Sequence, residues 1–312
     1  MTGANSGIGE VAARHLQESG HALTVVCRSR ERAEQSLEWI QDPSQILIAD
    51  LANLNAVKNM AHQLGLDGQQ FDVLVLNAGL QYAGVDTPRW SQQGFELTWA
   101  VNHLAHQCLL QLVLPLLQDS PSPRVVITAS EVHNPTTGGG RVGQPAGLGT
   151  LAGLDQGKGA SMVDGTSPFS ADKAYKDSKL CNLLMGLELS HRQPQLPVLC
   201  WSPGLVIPRS KDGFFRESWK ANPWGQAVFG FIARDLFRLT EQPERAGSLL
   251  LSLIKGDHDA TGMRYMSNHV VAPGKHIFES TEPSPEAMNI DLARTLWQLS
   301  EDLIKTSLQT PA

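Results

Sequence analysis

The sequence predicts an α/β protein built on one doubly wound, mostly parallel sheet. Short apolar, β-branched runs alternate with amphipathic stretches along most of the 312 residues. That is the rhythm of repeated right-handed βαβ units. A glycine-rich turn, Gly3-x-x-x-Gly7-x-Gly9, opens the first helix, the place where such sheets hold phosphate. Tyr175 and Lys179 stand four residues apart, on one face of a later helix.

The elements follow in order. Residues 9–19 read as a helix with Val11 and Leu16 inward, ended by Gly20. Residues 22–27 are a short apolar run, the pattern of a buried parallel strand. Residues 31–40 are helical, 45–50 a strand, 54–64 a helix and 71–77 a strand closed by Ala78-Gly79. A long helix spans about 94–117, and 124–130 is a fifth strand pattern. Residues 134–170 break the rhythm with Gly, Pro and polar residues; loops of this length are functional or disordered. Helix returns at 172–190, strand at 197–201, helix at 240–254, a last strand at 262–266 and a closing helix at 291–308. No repeat or linker divides the chain, so residues 1–312 are expected to form a single domain, with a substrate-covering segment at about 205–240. That segment carries Phe214, Phe215, Trp219, Trp224, Phe229, Phe231 and Phe237. A lid over an apolar substrate, a packed helix pair and a peripheral membrane contact all suit it.

A glycine turn of this kind normally follows a strand, yet only Met1 precedes Thr2. The first strand is missing from the sequence, and the expectation is that it lies upstream of Met1.

Composition narrows the function. The chain is 41% hydrophobic and 18% charged with a net charge of −6. That is ordinary for a globular protein and gives no basic face for nucleic acid. Cys27, Cys108, Cys181 and Cys200 form no CxxC pair, and three lie in apolar runs. Buried thiols in a reducing, cytoplasmic setting are expected rather than disulfides. No apolar run reaches the ~20 residues of a membrane span, so no transmembrane segment is expected. His103 and His106 sit three apart on a helix without a carboxylate or cysteine partner, so no metal site is expected.

The chemistry-bearing residues fall into two groups. Gly3, Ser6, Gly7, Ile8 and Gly9 are the expected pyrophosphate cradle: glycine permits close backbone approach, and the helix start offers free amides. Arg28 and Arg30 follow the second strand, where no Asp or Glu is present to hold a free ribose. A guanidinium there suits a 2′-phosphate, hence NADP(H). Asp50 and Leu51 close the third strand, where Asp50 suits an adenine amino group or a helix cap. In the second group, Tyr175 is a candidate proton donor. Its ordinary pKa is near ~10, and an adjacent ammonium favours the phenolate. Lys179 supplies that charge and suits the nicotinamide ribose hydroxyls. Ser130 suits the reacting oxygen, and Asn102 a water reaching the lysine.

With these residues in view, the chain resembles the short-chain dehydrogenase/reductase family over nearly its whole length. The resemblance rests on Thr2-Gly3-x-x-x-Gly7-x-Gly9, Asn77-Ala78-Gly79, Asn102, Ser130, Tyr175-x-x-x-Lys179 and Pro203-Gly204, in that order. It implies a Rossmann-type fold and adds Asn77, Ala78, Gly79, Pro203 and Gly204 to the cofactor residues. Within the family, residues 94–98, 101–104, 162–165 and 173–182 resemble the light-dependent protochlorophyllide oxidoreductases. Those enzymes read Tyr-Pro-Gly-Cys where this chain has Ser202-Pro203-Gly204-Leu205, and they carry a threonine shortly after the serine where it has Glu131-Val132-His133. Ser202 and Leu205 are therefore expected on the substrate wall, in changed form. Three functions remain: a reductase of a bulky apolar carbonyl or alkene, light-driven protochlorophyllide reduction, and a non-catalytic nucleotide-sensing scaffold.

Overall fold

A computed structural model describes residues 1–207, 213–231, 233, 239–256 and 262–309. Five strands are parallel neighbours in the expected manner: β1 (Val25–Cys27), β2 (Ile46–Ile48), β3 (Val73–Leu76), β4 (Arg124–Thr128) and β5 (Val198–Ser202). β6 (Met263–Ala272) pairs parallel with β5, and β7 (Lys275–Ser280) closes the edge antiparallel to β6. The expectation of a last strand at 262–266 is corrected here. β6 is longer and turns back at Pro273-Gly274 into β7, whose polar, half-exposed alternation hides a strand signal.

The sheet would fall into a β1–β2 pair and a β3–β7 group but for the first two residues. Thr2 bridges Val26 in parallel and donates its N–H to the Val75 carbonyl at 3.0 Å; Val26 donates to the Met1 carbonyl at 2.9 Å. A two-residue stub thus occupies the central strand position, between β1 and β3. The Met1 amino group donates to the Thr24 carbonyl at 2.7 Å, and burial lowers its pKa to about 5.

Strand side chains alternate between two cores. Leu74, Leu76, Val125, Ile127, Val198 and Cys200 face one side, with α3 (Leu54–Leu66), α5 (Ala105–Val113), α7 (Ala171–Arg192) and α11 (Ile290–Gln309). Val75, Val126, Leu199 and Trp201 face the other, with α1 (Gly7–Glu18), α2 (Arg30–Ser36) and α10 (Pro243–Lys255). This is the doubly wound arrangement expected.

The long helix expected at 94–117 is interrupted. A short α4 (Leu97–Trp99) leads into a π-turn, Ala100–Leu104, before α5. By length and composition Leu97–Leu117 is apolar enough to cross a bilayer, unlike the sequence expectation, but most of it is buried in the core. The long irregular segment also holds a short helix, α6 (Ala152–Gln156). All of α7 is buried except Asp172, Tyr175, His191 and Arg192, so it has no solvent stripe. Ser170 caps it, accepting from Lys173 N–H at 3.3 Å.

α1 and α10 meet at Gly247. A Cβ there would lie 2.5 Å from Val11 Cβ and 3.2 Å from the Ile8 carbonyl oxygen. Gly247→Ala should destabilise the protein by about 1–3 kcal/mol, outweighing the up to ~1 kcal/mol that alanine gains over glycine in a helix. A urea midpoint at or above the wild-type value would show that the two helices separate freely.

Candidate active site

A cavity of about 1850 Å³ runs along the C-terminal ends of the parallel strands. Such a crevice is the usual ligand position in open α/β sheets. Of the expected residues, Gly3, Ser6, Gly7, Ile8, Gly9, Arg28, Asp50 and Leu51 line one arm. Asn77, Ala78 and Gly79 line its middle, and Ser130, Tyr175, Lys179, Pro203 and Gly204 the other arm. Asn102 does not line it and is wholly buried below.

The glycine turn is built by close approach. Gly3 has φ +67°, and a Cβ on it would meet Ala78 Cα at 2.8 Å. A Cβ on Gly9 would collide with the Gly3 carbonyl oxygen. Asn77 pins the turn, donating from Nδ2 to Gly3 O at 3.2 Å and Thr2 O at 3.4 Å. Its Oδ1 accepts from Thr128 Oγ1 at 3.0 Å, which in turn accepts from Trp201 Nε1 at 2.9 Å. Ser6, at the helix N-cap, makes no side-chain cap bond, so the first amides of α1 open toward the cavity. A cradle with no room for side chains, ending on an uncapped helix start, fits a dinucleotide pyrophosphate.

At the far end, the Arg28 side chain is exposed, lines the cavity and has no protein partner among the described residues. Arg30 does not line it; it begins α2. Four other arginines do, none of them singled out by the sequence: Arg32, Arg89, Arg216, and Arg14, which pairs with Glu10 at 2.8 Å and stacks on Trp39 at 4.7 Å. Asp50 accepts from Ala52 N–H at 3.0 Å, whereas the cap of α3 is Asn53.

At the other end, Tyr175 and Lys179 share a helix face as expected, with Nζ 5.8 Å from the ring centre. Lys179 donates to the Thr128 carbonyl at 3.0 Å. Burial lowers its pKa to about 8. Burial raises the Tyr175 pKa, and the neighbouring Ser130 hydroxyl offsets only part of the rise. The expectation of a depressed phenol is corrected: with the ring half-buried and the ammonium across the ring, desolvation wins.

Asn102 has other partners than a water. Its Oδ1 accepts from Leu80 N–H at 2.8 Å, and its Nδ2 donates to Leu80 O and to Ser178 Oγ, both at 3.0 Å. Its main-chain carbonyl accepts from His106 Nδ1 at 3.0 Å. His106 Nε2 then accepts from the Thr2 hydroxyl at 3.0 Å, because Thr2 Oγ1 already accepts from Asn77 and Ala78 N–H. His106 thus joins the glycine turn to the π-turn as a neutral ring; its pKa is lowered to about 3 by burial. His103 turns elsewhere, to Ser300 at 3.3 Å.

The frame behind these groups was largely illegible in sequence. Lys176 donates to the carbonyls of Gly140, Val142 and Gln144 at 3.0, 2.5 and 2.9 Å. Lys173 meets Asp164 at 2.9 Å and Asp177 at 2.6 Å. His133, buried and neutral, donates from Nδ1 to Ser130 O at 2.6 Å and accepts from Ser284 N–H at 3.1 Å. Asn268 donates to Pro203 O at 3.0 Å and Glu241 at 3.2 Å, fixing the turn at Gly204.

Ser202 is not on the cavity wall. It is 0% exposed, and its hydroxyl accepts from Glu131 N–H at 2.9 Å and Gly204 N–H at 3.3 Å. Leu205 does line the cavity. In the aromatic segment, Phe214 and Phe215 line it, Phe214 edge-on to Tyr175 at 5.4 Å. Trp219 packs behind them. Trp224, on α9 (Pro223–Gly230), is 84% exposed and faces away, as does Phe231; the side chain of Phe229 and all of Phe237 lie outside the described residues. α8 (Arg216–Ala221) is tied to the 80–90 loop: Arg89 meets Glu217 at 2.8 Å, and Ser218 accepts from Ala83 N–H at 3.1 Å. Burial pushes Glu217 up, but Arg89, Arg216 and Lys220 together pull it down to about 2.

A family model for short chain dehydrogenase matches residues 1–140. Protochlorophyllide reductase A of Oryza sativa subsp. japonica is 32% identical over 319 residues, covering 97% of this chain and 79% of the relative. An uncharacterised protein from Mycobacterium paratuberculosis superposes with a TM-score of 0.67 at 25% identity, over 97% of this chain and 91% of that one. A short chain dehydrogenase of Shigella flexneri, solved with NADP, gives a TM-score of 0.57 at 22% identity, over 85% and 93%; that likeness speaks for the fold alone. This chain belongs to the short-chain dehydrogenase/reductase family. It is an oxidoreductase, related to the protochlorophyllide reductases over nearly its whole length.

The Lys179 pKa makes a measurable linkage. Its folded value of about 8 lies below its ordinary 10.5. Between the two, the unfolded chain holds more protons, so this group makes stability rise with pH through that window, by about 3 kcal/mol in all. Below the window its full penalty applies. Lys179→Met should flatten the rise of the urea midpoint there, whereas an unaltered slope would place its origin elsewhere.

Proposed function

We propose that this protein reduces a carbonyl or alkene of a bulky, largely apolar substrate, with Tyr175 as proton donor. The observation that carries this reading is the meeting of Tyr175, Ser130 and Lys179 on one arm of the cavity that holds the glycine cradle on its other. NADP(H) is the cofactor, in keeping with Arg28, which lines the cavity without a protein partner among the described residues. When bound, it supplies the hydride.

This chain's residues supply the rest. The glycine turn and the α1 amides hold the diphosphate. Ser130 holds the reacting oxygen by its hydroxyl, and Tyr175 gives it a proton as negative charge develops there. A phenol whose pKa is raised stays protonated at neutral pH, which suits reduction more than oxidation. The Lys179 ammonium lowers the cost of the phenolate left behind, and its donation to Thr128 keeps it in place. Phe214, Phe215 and Leu205 exclude water and accept a hydrophobic body.

Light-driven reduction of protochlorophyllide is a second reading, favoured by the 32% identity to the rice enzyme. Leu205, in place of a thiol, counts against it. Illumination with protochlorophyllide and NADPH separates the two: efficient photoreduction selects the second, and dark turnover of hydrophobic ketones the first.

Tyr175→Phe should lower kcat on a hydrophobic ketone by about 10²–10⁴-fold, the range for a lost general acid. Full turnover, followed by NADPH absorbance, would remove Tyr175 from that role. Arg28→Ala should erase a preference for NADPH over NADH of about tenfold or more, the worth of a charge-assisted contact. Equal affinity of the wild-type protein for both would sink the assignment.

A further inference from the structure

One flank of the cavity is not used by this chemistry. Glu131 follows Ser130 directly, and its backbone is fixed at both ends. Its N–H donates to Ser202 Oγ at 2.9 Å, and its carbonyl accepts from Thr137 Oγ1 at 3.0 Å. Its side chain is half-buried and lines the cavity, yet its carboxylate makes no hydrogen bond or ion pair among the described residues. Gly139 stands beside it: a Cβ there would touch Glu131 Oε1 at 3.7 Å and press on Val132 Cγ1 at 3.0 Å.

A second polar group on the same flank is only loosely partnered. Tyr265, on β6, lines the cavity and is 5% exposed; the Ser202 and Ser267 hydroxyls approach its hydroxyl, but among the described residues none closes a hydrogen bond of good geometry with it. Its ring is held edge-on by His133 at 5.3 Å. Glu131 lies close enough to disfavour its phenolate. A shielded carboxylate without a partner, beside a buried phenol that only two serine hydroxyls approach, is expensive unless something fills the gap. Burial pushes the Glu131 pKa up, and the nearby His269 and His276 pull it back. His269 lines the cavity too, but its ring is turned to Glu279, 3.6 Å away.

We propose that Glu131, backed by the Tyr265 hydroxyl, forms a polar subsite that takes a protonated amine on the substrate, one residue from the serine that holds the reacting oxygen. The inference rests on reading this cavity as the substrate site. Its ligand is an otherwise apolar molecule with an ammonium group near the reducible bond. A substrate with a carboxylate at that point is repelled by like charge.

The test uses three arylalkyl probes of similar length: 4-phenylbutylamine, 4-phenylbutan-1-ol and 4-phenylbutyrate. Each is titrated calorimetrically into NADP⁺-saturated protein, so no turnover is needed. The ammonium should bind about tenfold or more tightly than the alcohol, as expected for a charge-assisted contact, and the carboxylate weakest. Glu131→Gln should bring the ammonium-to-alcohol ratio close to one. Tyr265→Phe, which removes one oxygen, should reduce the ratio by a smaller factor. Equal binding of the three by the wild-type protein, no binding of the amine, or a ratio unmoved by Glu131→Gln overturns the subsite. Should the probe order hold while no ketone or alkene is reduced, the subsite stands and the reductase reading falls.

Discussion

Three lysines on one buried helix set the terms for much of this structure. Lys173, Lys176 and Lys179 are 7%, 5% and 2% exposed. An ammonium withdrawn from water is costly unless it is paired or fully hydrogen-bonded. Each lysine solves this differently. Lys173 takes two carboxylates, Lys176 three main-chain carbonyls, and Lys179 one carbonyl, Thr128, with its pKa reduced. The best-satisfied two order the loops, and the least-satisfied one faces the cavity. A cation left partly unsatisfied next to Tyr175 is the one with capacity to respond to a ligand.

The helix therefore joins sequence segments that have no local reason to meet. Residues 140–147 are held by Lys176 and Lys173, and Asp164 by Lys173. Thr128 connects the same helix to the sheet, and through Asn77 to the glycine turn. Proton donor and cofactor cradle are thus set relative to each other by a short chain of hydrogen bonds across the strand ends. The Thr2–His106–Asn102 link runs parallel to it. Preorganisation of this kind places groups before any substrate arrives.

Much of this was legible in the sequence, for physical reasons. The strand and helix order follows from periodicity, and the Gly3–Gly9 turn and the Tyr175–Lys179 spacing are local patterns with one sensible geometry. The remainder depends on long-range partners. Ser202 is drawn inward by the N–H groups of Glu131 and Gly204, which no local pattern discloses. Arg14 reaches the cavity from the helix after the turn, not from the strand end where Arg28 and Arg30 attract attention. The Tyr175 pKa goes up because burial outweighs the hydrogen bond from Ser130, a balance that spacing alone does not give. β7 was missed because an edge strand with both faces partly wet has little hydrophobic signal.

The Lys176 cage also governs how this cavity can change over generations. Its three acceptors are main-chain oxygens, and every amino acid has one. Side chains at 141–144 can be exchanged without removing a bond to the lysine, so long as the backbone path is kept. A wall of the binding site can thus drift in shape and polarity while its anchorage persists. New substrate preferences are open to the chain through point changes in this loop, with the proton-donating helix next to it left as it was.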